Sequence, residues 1–117
     1  MIELQDEYGH VSNWFTVSET AKAVGLKDSN GRLLGRNKFF NLLRSNGVLM
    51  SDNQPYQYYL GLDLMRMHSV RRSGKTYFIP IFSEKGVQYI KNKFSTGTFV
   101  TEKPTFVKNE VNPNDIF

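Results

Sequence analysis

Two short stretches of helical periodicity, separated by a run of turn formers, constrain this chain more than any other feature. Thr16-Val17-Ser18-Glu19 fits a capping box, in which the Thr16 hydroxyl accepts from the backbone N–H at the third helical position while Glu19 reaches back. Val17, Ala21 and Val24 then share one stripe, and Gly25 supplies a left-handed stop, so a helix is predicted over Val17–Val24. Lys27-Asp28-Ser29-Asn30-Gly31-Arg32 can continue neither helix nor strand, and Asn30-Gly31 alone is a strong turn signal. From Arg36 to Ser45 the periodicity returns. At 100° per residue Phe39, Phe40, Leu42 and Leu43 fall in one arc, and Asn37, Lys38, Asn41, Arg44 and Ser45 fall in the other. Asn46-Gly47 ends this second helix.

The remainder of the chain reads as a hairpin and a closing helix. Pro55 opens a cluster of Tyr56, Tyr58 and Tyr59, rings that either roof the core with wet hydroxyls or stack on bases. Residues 64–70 and 77–82 are rich in β formers. Between them lies Arg71-Arg72-Ser73-Gly74-Lys75-Thr76, a basic hairpin tip with Gly74 at its tight position. Pro80 lacks an N–H, which places its strand at an edge or a bulge. Ser83 caps a last helix over residues 84–94, where Val87, Ile90 and Phe94 recur at spacings of three and four. Residues 1–13 are polar and acidic and read as a flexible arm. Residues 95–117 carry Phe99, Phe106 and Phe117 without a period and read as a carboxy-terminal extension. One domain, residues 14–94, is therefore expected between two tails.

Composition narrows the function. The chain has no cysteine and two histidines, which removes disulfide frameworks, thiolate metal sites and thiol nucleophiles. His68 falls on a predicted strand with no sequence-local carboxylate pair and His10 lies in the arm, so no enzyme, metal or cofactor is expected. Apolar runs of a few residues fall far short of the ~20 of a membrane span, and residues 1–10 do not form a basic-then-apolar signal. An intracellular, soluble protein is expected. Charge is unevenly placed: residues 1–31 carry a net −3, residues 76–117 a net +1, and residues 32–75 a net +6 in which six of eight cations are arginine. Guanidinium forks match phosphate oxygens bidentately, although a basic stretch can equally be a solvated surface.

The second helix tilts that balance. Its polar arc holds no carboxylate, whereas ordinary solvated helix faces mix Glu with Lys. Asn and Arg are the side chains that make two-pronged contacts with adenine and guanine edges. Helix, turn, helix, β-hairpin wing and carboxy-terminal helix is the element order of an α+β winged helix-turn-helix-like domain. The motifs Phe15-Thr16-Val17-Ser18-Glu19-Thr20-Ala21-Lys22, Leu34-Gly35-Arg36-Asn37-Lys38-Phe39-Phe40-Asn41-Leu42-Leu43-Arg44, Gly47-Val48-Leu49, Asn53-Gln54-Pro55-Tyr56-Gln57 and Phe82-Ser83-Glu84-Lys85-Gly86-Val87 occur in that order. In them the chain resembles the KilA carboxy-terminal (KilAC) domain of bacteriophage antirepressors. The resemblance covers residues 14–94 and not the long upstream domain of typical members, and the turn over residues 27–33 is longer here. It implies a phage or prophage origin, the cytoplasm of a bacterial host, DNA binding, and a role in lytic/lysogenic transcription.

These readings converge on a site for double-stranded DNA. Asn37, Asn41 and Arg44 are the expected base readers, with Arg44 also able to clamp phosphate. Arg36, Lys38, Arg71, Arg72 and Lys75 are the expected backbone contacts, against the alternative that each is a solvated side chain. The competing function is a protein-binding module that inhibits a repressor or other host or phage factor by direct contact. There Phe99, Phe106 and Phe117 would be aromatic anchors, or would join two copies into a homodimer.

Overall fold

Thr16 and Glu19 form both halves of the capping box: the Glu19 backbone N–H donates to the Thr16 hydroxyl at 3.1 Å, and the Thr16 N–H to the Glu19 carboxylate at 2.9 Å. A cap of this kind contributes about 1 kcal/mol. The computed structural model describes residues 1–101, and in it the capped helix α1 spans Val17–Val24, ended by Gly25 at φ 75°. Before it come strands β1 (Ile2–Gln5) and β2 (Val11–Phe15). After it come α2 (Arg36–Ser45), α3 (Gln57–Gly61), β3 (Met65–Arg72), β4 (Lys75–Ser83) and α4 (Glu84–Ser95). The apolar arcs of α1, α2 and α4 meet in one core. Val17, Ala21, Phe39, Leu42, Leu43, Val87, Ile90 and Phe94 pack there against Tyr59, Met65 and Phe82.

This mixed α+β architecture is not the winged helix-turn-helix expected from the sequence. The four strands form one antiparallel sheet in the order β1-β2-β4-β3, and α3 intervenes between α2 and the β3–β4 hairpin. The hairpin is therefore half of a sheet and not a free wing. Trp14 and Phe15, at the start of the expected domain, join it to the rest, and residues of the segment expected as a loose arm extend the sheet beyond them. Residues 2–5 pair with 11–14, half-buried Ile2 and Leu4 alternate with exposed neighbours, and the Asp6 carboxylate accepts from the Tyr8 and His10 N–H groups to close the turn. Strand β2 then reaches β4 at Trp14↔Ser83 and Phe15↔Phe82.

The hairpin is also longer than predicted. Only Ser73 and Gly74 lie outside the strands, both at positive φ (52° and 78°), as the right-handed twist of a two-residue turn requires. Arg71, Arg72 and Lys75 are thus strand residues. Pro80 sits opposite Met67, beyond the two β4 residues that pair with β2, so its missing N–H falls where β4 has only β3 beside it.

The tyrosine cluster roofs the core through one member. Tyr59 is buried, its ring edge-on to Tyr58 and Tyr89 with centroids 5.2 and 5.8 Å away, while Tyr56 and Tyr58 remain exposed. Burial, with Tyr89 and Tyr58 beside it, pushes the Tyr59 hydroxyl up to about 12. The neutral form is the one the fold favours. Its stabilisation is complete below the ordinary value of 10 and is lost as pH rises from 10 through about 12. Melting temperatures recorded across that window should fall, and Tyr59→Phe, which cannot ionise, should flatten the decline; an identical decline in both proteins would refute the assignment.

Candidate nucleic-acid interface

Gly35 opens α2 with no side-chain cap, and Arg36, Asn37 and Lys38 follow exposed on its first turn, with no acidic residue there. Asn41 is exposed one turn further on. Arg44 is only partly exposed, because its guanidinium donates to the side-chain oxygens of both Asn41 and Asn53. Asn53 adopts φ 66° in the loop after α2, and that loop holds the arginine in place. Arg44 therefore orients the Asn41 amide through one lone pair of its oxygen, and the second lone pair and the Nδ2 donors remain for a base edge. Asn53, which sequence reasoning did not single out for this, belongs to the same network; its left-handed turn position was the available signal.

The expected backbone contacts separate into groups. Arg36 lies on the Phe40 ring, 4.7 Å from its centroid, and its side chain lines a cleft of about 790 Å³ that Arg72 lines from the hairpin. Lys38 and Asn41 instead border a shallow groove of about 180 Å³ with Leu34, Leu42 and Thr101. On the hairpin, Arg72 is the direct cross-strand partner of Lys75, and Arg71 pairs with Thr76 on the opposite face of the sheet. Two like charges directly opposite destabilise a hairpin. The remaining arginines of the basic block are Arg66, whose guanidinium stacks 4.2 Å over Trp14, and Arg32, exposed in the turn before α2.

One family model, described as Phage antirepressor protein KilAC domain, matches residues 2–96. The chain belongs to that family. Neither a curated protein nor a solved structure matches it. As a KilAC domain the protein is a regulatory protein of the phage antirepressor type, and the matched region takes in the β1–β2 hairpin as well as every helix among the described residues. No helix among the described residues of this KilAC domain is long and apolar enough to cross a membrane. Nor do three His, Asp or Glu side chains come together there in a metal-binding group, and His68 lies opposite Ile79 in the hairpin.

The aromatic anchors expected in the extension are placed in part. Phe99 folds back onto the KilAC core, its ring edge-on to Phe94 at 5.4 Å and its N–H donating to the Lys93 carbonyl. The next residue is tied to the end of α2, since the Asn46 side chain donates to the Val100 carbonyl and accepts from the Val100 N–H, both at 2.9 Å. Phe106 and Phe117, and with them most of the segment through which a dimer is expected, lie outside the described residues.

Proposed function

We propose that this KilAC domain is a noncatalytic module that binds double-stranded DNA in a phage or prophage regulator of lytic/lysogenic transcription, acting in the host cytoplasm. The observation that carries the reading is the solvent-facing, carboxylate-free arc of α2, on which Asn37, Lys38 and Asn41 stand exposed beside a braced Arg44. A major groove admits one such helix. Asn37 and Asn41 read base edges, Arg44 holds Asn41 in its reading orientation, and Arg36, Lys38, Arg71, Arg72 and Lys75 contact phosphate. Membership in a regulatory family is consistent with this assignment.

Substitution separates base contacts from phosphate contacts. Asn41→Ala should weaken binding to the cognate sequence by about 1–3 kcal/mol while leaving random DNA nearly unchanged, because an edge contact carries base information. Arg72→Ala should weaken both alike. Fluorescence anisotropy on a selected site and a scrambled one measures the difference, and equal losses for Asn41→Ala on both duplexes would remove it as a base reader.

Direct contact with a repressor is the second reading. What favours it is the exposed apolar surface of Tyr56, Tyr58 and Leu62 around α3. A protein that binds no duplex at low salt yet captures a phage repressor would act this way.

A further inference from the structure

The cleft shared by Arg36 and Arg72 arises from the way the sheet is assembled. Strand β2 accompanies β4 only at Phe82 and Ser83 before the chain turns into α1, so the outer length of β4 has β3 on one side and open space on the other. The starts of α1 and α2 form the far wall, and about 790 Å³ lies between. That volume is in the range of ligand sites.

Its lining is chemically biased. Arg36 and Arg72 face it, no Asp or Glu lines it, and neither arginine is paired with a carboxylate among the described residues. The Phe40 ring beneath Arg36 holds that guanidinium at the wall. Two exposed aromatic rings also line it from β4, Phe78 (67% exposed) and Tyr77 (49%), which as neighbours in a strand project to opposite faces at its open edge. Exposed rings next to unpaired arginines match a ligand with anionic groups and flat apolar faces together. A nucleotide has both. In a duplex the base faces are covered by their neighbours, so only an unpaired strand presents a face to stack.

We propose that this cleft binds a short single-stranded stretch of DNA, with phosphates between Arg36 and Arg72 and an unpaired base against Phe78. The site goes beyond the duplex reading. It shares the two arginines with that reading but turns on Phe78, where duplex recognition turns on Asn37 and Asn41.

The test uses the full chain and a fluorescent oligothymidine of about ten nucleotides, within the usual site size of such grooves. A duplex of the selected site is measured in parallel. Phe78→Ala, at an exposed position, should weaken oligothymidine binding by about tenfold and leave the duplex within about twofold of wild type. Phe78→Tyr, which keeps the ring, should restore the lost affinity, and Asn41→Ala should leave oligothymidine binding intact. Melting curves confirm that each variant is folded. The proposal is overturned if oligothymidine does not bind at low salt, or if folded Phe78→Ala binds it like wild type. Displacement by oligoglutamate of equal length, or by free thymidine monophosphate at equal nucleotide concentration, would equally overturn it, since the cleft would then recognise charge or a mononucleotide and not a strand. Loss of the duplex arm alone, with oligothymidine binding and its Phe78 dependence retained, supports the cleft and defeats the duplex reading.

Discussion

Gly86→Ala should lower the melting temperature by roughly 8–16 °C. Helix α4 begins where the β3–β4 hairpin ends, and its first turn is pinned against the residues that lead into β3. The Ser83 N–H donates to the Leu64 carbonyl at 3.1 Å, the Ser83 hydroxyl donates to the Asp63 carbonyl at 2.8 Å, and the same hydroxyl accepts from the Gly86 N–H at 2.9 Å. These bonds draw the helix so close that a Cβ on Gly86 would stand 1.9 Å from the Leu64 carbonyl oxygen and 2.9 Å from its carbon. Backbone atoms cannot rotate aside as a side chain can. Two effects oppose each other. Alanine is the better helix former by about 1 kcal/mol, whereas forcing extra volume into a packed site costs about 3 kcal/mol at the upper end of its usual range. The clash wins by about 2 kcal/mol, and each kcal/mol is worth roughly 4–8 °C in a domain of this size. Gly61→Ala is the control. It also lies in a helix, but its added Cβ would meet nothing nearer than the Gln57 side chain at 3.8 Å, so its melting temperature should hold or rise. A Gly86→Ala protein that melts with the wild type would show that α4 does not need this approach.

Duplex affinity should fall about 500-fold between 50 and 200 mM salt if the five proposed phosphate contacts form. Each neutralised phosphate releases condensed counterion, which gives log K a slope of about −0.9 per contact on log salt, and hence about −4.5 for Arg36, Lys38, Arg71, Arg72 and Lys75 together. The structure makes this demanding, because Arg71 and Arg72 lie on opposite faces of the hairpin. If DNA meets only the face that carries Arg72 and Lys75, the slope is shallower by about one unit and Arg71→Ala leaves it unchanged. Arg72→Ala should reduce the slope by about one in either case. A salt titration of wild type and both variants resolves these outcomes. A slope near zero would turn the assignment toward repressor contact.

Helices α1, α2 and α4 were legible because their determinants are neighbours in the chain, whereas the five-residue α3 was not read from the sequence. Thr16 and Glu19 are three residues apart and make the cap that was read from them, Gly25 takes the left-handed conformation, and Ser83 caps α4. The exposed arc of α2 followed from a period of 3.6 and needed no tertiary information. The hairpin was legible in kind but not in length, since nothing local says that Arg71, Arg72 and Lys75 extend the strands and leave a turn of two residues. Gly86 stood in a helical pattern at a cost in propensity. That signal marks close packing, but it does not say against what.

What the sequence determined alone was local: where α1, α2 and α4 start, which arcs face inward, and the β-hairpin between the second and last of them. The tertiary structure alone decided that β1 and β2 join that hairpin at Trp14↔Ser83 and Phe15↔Phe82, which replaces a free wing by a four-stranded sheet. It likewise decided that Arg36 and Arg72 share a cleft while Lys38 and Asn41 do not, and that Phe99 belongs to the core. The physical reason is common to all of these. Caps and helical stripes are stabilised by groups within one or two turns of each other. A strand pairing between distant segments has no local energy to advertise it, and forms only when the collapsed chain must bury Trp14 and Phe15 and satisfy the backbone groups beside them.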